Sequence, residues 1–254
     1  MYDHQLTSLG QINYLIDEAV NCGKGANSVI SMLHHFLSTH NLGEATLHLH
    51  ADNCSGQNKN RYVMQYLAWQ ILTGLNKKIT LSFLVVGHTK FSPDWCFGLF
   101  KQAFRRSKVG CLDDIVRVVE KSATVNHAQL VGTQDGEVIV PTYDWAQFFD
   151  HPFRQKALKG IKAMHHLTFT NTHKGSVFVQ DINSPEREIR LGQDDEWRPT
   201  VHNLPPVIPP PGLSLQCRQY LFEKIREFCP PDCQDLVCPD PSLDPPTRKR
   251  ARQQ

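Results

Sequence analysis

The chain has 254 residues, of which 40% are hydrophobic and 20% are charged. These proportions allow a buried core and exclude a chain that is disordered throughout. There are 27 basic and 25 acidic residues, which gives a net charge of only +2. Binding to nucleic acid would therefore have to come from a local basic patch rather than from the charge of the whole chain.

The compartment follows from what the sequence lacks. No apolar run reaches the roughly 18 residues that a membrane-spanning helix needs. The first ten residues lack the basic and apolar regions of a secretory signal. We therefore expect a nuclear or cytoplasmic protein that is neither secreted nor membrane-bound, with its eight cysteines as reduced thiols.

The N-terminal half predicts an α/β core. Residues 11–19 predict a short strand or the approach to a helix, and apolar positions at helical spacing predict a helix that ends near residue 40. Alternating residues predict a strand at 45–51. The nearly continuous apolar run 79–87 predicts a strand that is buried on both faces. Three further helices are expected, at 58–74, 93–106 and 111–121.

The chain changes in composition near residues 125–140. Residues 164–181 predict a β-hairpin, and the proline-rich residues 204–212 predict an extended linker. A short helix is expected at 214–228, followed by a disordered tail. We therefore expect three parts: a core at 1–125, a small α+β appendage at 126–228 and a disordered basic tail at 229–254.

Two carboxylates follow the two predicted core strands. Asp52 comes at the end of the strand 45–51, and Asp94 lies in the first turn of the helix after the strand 79–87. Parallel strands joined by a right-handed crossover end at the same sheet edge, so the two carboxylates are expected within about 4–8 Å of each other. Carboxylate oxygens bind Mg²⁺ or Mn²⁺, and His88 is a candidate neighbour of the metal or phosphate.

Each of these residues also has an ordinary structural interpretation. Asp52 can cap its own turn, and a carboxylate such as Asp94 is favoured at a helix N-terminus by the dipole alone. His88 can be a hydrogen-bonded loop histidine. Spacing alone does not separate these interpretations from a metal site.

Basic residues lie beside the predicted acidic site. They occur at the start of the helix 58–74, where free backbone N–H groups suit a phosphate, and along one side of the helix 93–106. The alternative is an ordinary solvated basic face. The candidate nucleic-acid-binding residues are Lys59, Asn60, Arg61, Lys101, Arg105 and Arg106.

The C-terminal region carries two further patterns. Cys229, Cys233 and Cys238 have a C-x3-C-x4-C spacing, which can hold zinc with a fourth ligand or can be free thiols in a tail. A basic cluster near the end is either a nuclear localisation signal or a solubilising tail. Its members are Arg248, Lys249, Arg250 and Arg252.

Two long motifs, HADNCSGQNKN and GHTKFSPDWCFG, resemble those of an uncharacterised transposon-derived family of animal proteins. The resemblance runs from residue 11 to about residue 240. It implies a ribonuclease-H-like core of the transposase and integrase type, which uses three acids to hold metal. By position Asp52 resembles the second acid, and Asp94 the third, where transposases more often carry Glu.

The first acid of that superfamily has no match on a suitable strand. Asp3 and Asp17 are available, but neither opens a strand of the expected first hairpin. We therefore expect a truncated core without its N-terminal strands. The expected function is that of a transposase-derived domain, ancestrally catalysing metal-dependent phosphoryl transfer on DNA and inactive in this chain. The alternatives are a non-catalytic nucleic-acid-binding or protein-binding module, or a gene relic.

Overall fold

A computed structural model shows the chain as a mixed α/β fold. It describes residues 10–40, 43–84, 92–133, 136–153, 158–181, 184–192, 194 and 196–243. The strands in these residues are β1 (Gln11–Leu15), β2 (Thr46–Ala51), β3 (Lys78–Phe83), β4 (Asn126–Leu130), β5 (His166–Thr170), β6 (Ser176–Gln180) and β7 (Arg187–Arg190). β1 and β4 pair in parallel, and the other five strands form one sheet in the order β2-β3-β5-β6-β7.

The helices divide between two regions of the fold. They are α1 (Ala26–His40), α2 (Arg61–Leu72), α3 (Ser92–Arg106), α4 (Leu112–Ser122), α5 (Trp145–Asp150), α6 (Leu215–Tyr220) and α7 (Gln234–Val237). α1, α2 and α5 pack against one another, and α2 packs on β3 and β5, while α3 packs on α4. No helix in the described part of the chain is long and apolar enough to cross a bilayer.

The predicted pairing of the two core strands is confirmed. β2 and β3 are parallel neighbours, with Leu49 opposite Leu81, and α2 connects them. The prediction that the second strand is buried on both faces is wrong: Leu81 is fully buried, but the adjacent Thr80 and Ser82 are partly exposed. Helices α1, α2 and α5 cover one face, and the side chains on the other face of β2, such as His48, are exposed.

The predicted boundary at residues 125 and 126 is not supported by the fold. β5, β6 and β7 extend the sheet of β2 and β3, since β5 pairs antiparallel with β3. Trp145, Phe149 and Phe153 are fully buried in the same core as Leu49 and Leu81. The region 145–191 therefore completes the core instead of forming an appendage, because strand pairing between distant segments decides the grouping.

The C-terminal part of the described chain is more ordered than expected. Residues 204–212 form no helix, and they are hydrogen-bonded to the core: Asp144 N donates to the carbonyl of Pro206 (2.9 Å) and Ile208 N to that of Thr142 (2.7 Å). Residues 229–243, expected to be disordered, include α7 and the fully buried Cys238. The cluster Arg248, Lys249, Arg250 and Arg252 lies outside the described residues.

An aromatic cage in the core encloses His34 of α1. Its ring lies 5.3 Å from that of Trp145, 5.9 Å from that of Trp69 and 6.0 Å from that of Tyr66. Its Nδ1 is 3.2 Å from the hydroxyl of Tyr66. Burial, reinforced by the neighbouring charge of His35, lowers the pKa of His34 from 6.5 to about 4. The folded protein therefore keeps this imidazole neutral at neutral pH.

We expect this buried histidine to make stability depend on pH. Below pH 6.5 the unfolded chain binds a proton at His34 that the folded chain does not bind until the pH approaches about 4. The free energy of unfolding should therefore fall by on the order of 3 kcal/mol between pH 6.5 and 4. Denaturant unfolding at several pH values measures this loss. In His34→Phe the contribution should vanish.

The exposed His48 supplies the control for this experiment. His48→Gln also removes one histidine, but it leaves the aromatic cage intact. Its pH profile should follow that of the unmodified protein. A difference between the unmodified protein and His34→Phe that stays constant over this pH range would contradict the assigned role.

Candidate functional site

The 52–60 loop, DNCSGQNKN, joins β2 to α2 and begins at the first candidate acid. Asp52 Oδ1 accepts hydrogen bonds from Cys54 N (3.0 Å) and Asn58 Nδ2 (2.6 Å). Asn58 is buried, whereas Asp52 is exposed. The predicted position of Asp52 at the carboxyl end of β2 is confirmed. Its carboxylate also caps the turn, so one oxygen is committed to the loop while the residue as a whole faces solvent.

Lys59 stabilises the 52–60 loop from within. Only 3% of the residue is exposed. Its Nζ donates to Asn53 Oδ1 (2.7 Å) and to the carbonyl of Lys162 (3.0 Å), and it lies 4.6 Å from the centre of the Phe83 ring. Asn53 in turn donates to the carbonyl of Leu84 at the end of β3. Lys59 therefore joins the loop to the sheet, because its Nζ is directed at acceptors within the protein. Burial lowers the pKa of this amine.

The next two candidate phosphate ligands are also engaged within the fold. Asn60 is the N-cap of α2, and its Oδ1 accepts from the backbone N–H groups of Tyr62 (3.0 Å) and Val63 (3.2 Å). The guanidinium of Arg61 forms an ion pair with Asp150 (2.8 Å) and lies 4.4 Å from the centre of the Tyr62 ring. The prediction that this helix start binds phosphate is therefore not supported, because side-chain contacts already satisfy these groups.

Asp94 lies in the first turn of α3, as predicted, and is exposed. The residues that connect it to β3, including His88, lie outside the described part of the chain. Among the residues that the structure describes, Asp52 and Asp94 do not belong to any group of three potential metal ligands. The described donors thus do not fit a site for two metal ions, which needs more oxygen ligands than two carboxylates provide.

The exposed face of α3 presents the other three basic candidates. Lys101, Arg105 and Arg106 are all exposed. At about 100° per residue, Lys101 and Arg105 project from one side of the helix, and Arg106 projects from a direction about 100° away from Arg105. Only Pro93 and Cys96 are buried on this helix. α3 therefore presents most of its surface to solvent, and basic side chains dominate the centre of that surface.

Aromatic side chains border the basic residues of α3, a feature that the sequence analysis missed. Trp95 is 63% exposed, Phe97 is 44% exposed and Phe104 is 43% exposed. Phe97, Phe100 and Phe104 form a row with ring centres 5.7 and 6.0 Å apart. Lys101 Nζ lies 5.8 Å from the Phe97 ring. Phe97, Phe100 and Phe104 follow the buried Pro93 at i+4, i+7 and i+11, a spacing that predicts a packed stripe, so the sequence carried no signal of their exposure.

The internal role of Lys59 can be tested by substitution. Lys59→Met keeps the aliphatic stem but leaves Asn53 Oδ1 and the Lys162 carbonyl without their donor. These hydrogen bonds are partly buried, and each such bond contributes about 0.5–1.5 kcal/mol, so we expect the free energy of unfolding to fall by roughly 1–3 kcal/mol in denaturant titrations. Lys77→Met, at an exposed lysine, is the control and should be neutral. Unchanged stability in Lys59→Met would mean that these hydrogen bonds do not hold the loop.

Comparison with known proteins identifies one family. The chain matches the family model described as a domain of unknown function, DUF7869, over residues 8–185. That stretch includes the 52–60 loop, α3 and the strands β1 to β6. Neither the comparison with curated proteins nor the comparison with solved structures found a match. Because the family model covers more than half of the sequence, the chain belongs to the DUF7869 family.

Proposed function

We propose that this chain is a transposase-derived module that binds DNA through the exposed face of α3 and has no phosphoryl-transfer activity of its own. The observation that supports it is the combination on one helix of three exposed cations with three exposed aromatic rings. The cations are Lys101, Arg105 and Arg106, and the rings are Trp95, Phe97 and Phe104.

Both kinds of side chain suit a nucleic acid. Arginine and lysine neutralise phosphates, which supplies most of the sequence-independent affinity. Exposed aromatic rings stack on unpaired bases, and each stacked base contributes about 1–3 kcal/mol. The aromatic rings beside the cations therefore favour single-stranded DNA over duplex DNA, since the bases of a duplex are already stacked on one another.

The proposed transposase ancestry is supported by one strand-helix-strand unit of the fold. The parallel β2-α2-β3 unit ends its first strand at Asp52, which is the arrangement that the resemblance to ribonuclease-H-like transposases implies. We also propose a nuclear location, because a DNA partner would be found there. The ancestral reaction would be metal-dependent phosphoryl transfer with Mg²⁺ or Mn²⁺.

A second candidate function is that ancestral reaction itself. It is favoured by the exposed carboxylate of Asp52 at the carboxyl end of a parallel strand pair, which is where ligands bind in open α/β sheets. Against it stands the finding that, in the described part of the chain, Asp52 belongs to no group of three potential ligands. A catalytic group displaced by about 1 Å already costs on the order of a hundredfold in rate.

The DNA-binding proposal predicts a defined salt dependence. Each phosphate contact contributes about 0.9 to the slope of log affinity against log salt on duplex DNA, and about 0.7 on single strands. Arg105→Ala combined with Arg106→Ala should therefore weaken binding and reduce the slope by roughly 1.8 on duplex DNA and roughly 1.4 on single strands. Trp95→Ala should weaken binding to single strands more than binding to duplex. Fluorescence anisotropy over a salt series with both DNA forms measures these effects.

The matched control is a second double variant that removes two arginines from a surface other than α3. Arg187→Ala combined with Arg190→Ala, on the exposed edge strand β7, should leave the affinity and slope nearly unchanged. Equal losses in the two double variants would mean that only net charge matters. Absence of binding at low salt would leave a protein-binding module or a relic, and equally tight binding to anionic lipid vesicles would point to a surface for anionic lipid.

We expect no metal-dependent strand cleavage by the purified chain. The reason is that Asp52 and Asp94 supply too few ligands to position two metal ions. Supercoiled plasmid incubated with Mg²⁺ or Mn²⁺ should stay intact, as judged by gel electrophoresis. Nicking that disappears in Asp52→Asn, a variant of the same size without the charge, would show instead that the site is complete.

A further inference from the structure

The C-terminal segment, residues 226–243, contains three of the eight cysteines and folds back onto the start of α4. Glycine at position 110 makes this approach possible: a Cβ there would lie 2.7 Å from Pro230 Cγ and 3.1 Å from Cys233 Sγ. A side chain at Gly110 would therefore displace the segment. Two stretches that are more than a hundred residues apart in sequence are thus brought together at the N-terminus of α4.

Three potential metal ligands converge at this contact. The Sγ atoms of Cys111 and Cys233 and a carboxylate oxygen of Asp114 all lie within 4.8 Å of one another. Cys111 is the N-cap of α4, and Asp114 follows three residues later. Cys233 comes from the distant segment and is 7% exposed. No other group of this kind occurs among residues 10–243 wherever the structure describes them.

The segment has little apolar burial to hold it in place. Phe228 is 76% exposed, Leu236 is 48% exposed and Leu243 is 82% exposed, whereas Cys233 and Cys238 are its buried side chains. Arg226 adds polar contacts through the carbonyls of Gln234 (3.0 Å) and Cys238 (2.6 Å). Small segments that lack a hydrophobic core usually depend on a metal or a disulfide.

We propose that Cys111, Cys233 and Asp114 bind one zinc-type divalent cation that joins the C-terminal segment to α4. Zn²⁺ takes thiolate sulfur at about 2.3 Å and carboxylate oxygen at about 2.0–2.2 Å in a tetrahedral site. The present spacing needs a contraction of about 1 Å, which side-chain rotation supplies. Water completes the fourth position.

The protons and charges of this site balance. Asp114 Oδ2 accepts from the backbone N–H groups of Gly110 (2.8 Å) and Cys111 (3.2 Å) and contacts the Cys111 thiol (3.6 Å). Zinc binding releases the thiol protons of Cys111 and Cys233 to solvent, and the metal takes the place of the thiol hydrogen beside Oδ2. The two thiolates and the carboxylate carry three negative charges, which Zn²⁺ and the guanidinium of Arg117, paired with Asp114, neutralise.

The ligand atoms distinguish this proposed zinc site from the proposed ancestral Mg²⁺ or Mn²⁺ site at Asp52. Mg²⁺ and Mn²⁺ prefer oxygen ligands, whereas thiolates select zinc-like ions. A second thiol pair, Cys229 and Cys238, has Sγ atoms 3.8 Å apart, but among the described residues no third potential ligand joins this pair. We therefore assign the metal to the group at α4 and leave the second pair as thiols.

Metal content and cobalt spectroscopy test the proposal on the full chain. The protein purified with zinc should hold one equivalent after gel filtration. Exchange for Co²⁺ should give the d–d bands of a tetrahedral ion and thiolate-to-cobalt charge transfer from two sulfurs. Cys111→Ser and Cys233→Ser should each lose the metal. Cys54→Ser, at an exposed cysteine, and Cys229→Ser combined with Cys238→Ser should keep it.

A cysteine variant could lose the metal because it fails to fold, so two further measurements use the unmodified protein. Chelation of the unmodified protein should speed proteolytic cleavage of the C-terminal segment, and one equivalent of zinc should restore protection with release of protons. A Cys111–Cys233 disulfide found by mass spectrometry in the freshly purified protein would overturn the proposal. So would absence of bound zinc in the folded chain, or loss of metal in the Cys229 and Cys238 double variant.

Discussion

The parallel pairing of β2 with β3 is the constraint on which the rest of this fold depends. It is set by α2, whose apolar and aromatic side chains are buried along nearly its whole length. Because the two strands run in the same direction, Ala51 and Phe83 end side by side. The 52–60 loop and Leu84, which follows β3, therefore meet at one edge of the sheet. β5 then pairs with the free side of β3 and brings the rest of the sheet into the same core.

The polar residues of the 52–60 loop mainly stabilise this meeting point. Asn53 bonds to β3, Lys59 bonds to Asn53 and to the carbonyl of Lys162, and Asn58 holds Asp52. Asn58 and Lys59, the buried residues of this loop, need such contacts, since an unpaired buried group is costly. The motif that carries the resemblance to transposases thus has a structural explanation in this chain. Asp52 is the exposed carboxylate of this loop.

Two surfaces away from that loop carry the proposals. One is the exposed face of α3, where cations and aromatic rings lie together. The other is the start of α4, where Cys111 and Asp114 meet the distant Cys233. Both lie on the neighbouring pair of helices α3 and α4. A metal that fixes the C-terminal segment on α4 would stabilise the helix against which α3 packs, without contributing to the chemistry of Asp52.

The sequence by itself determined the local elements: α1 to α4, the strands β2 and β3, the hairpin β5–β6 and the position of Asp52 at a strand end. These follow from periodicity and capping, which act between neighbours in the chain. It did not determine that β5 joins β3, since strand pairing acts between distant segments. The sequence suggested that Lys59 contacts a phosphate. It could not reveal that Lys59 is buried, because that burial depends on Phe83 and Lys162, which only the tertiary structure brings to it. In the same way, the sequence did not indicate that Cys233 lies beside Gly110, Cys111 and Asp114, because only the fold brings these residues together.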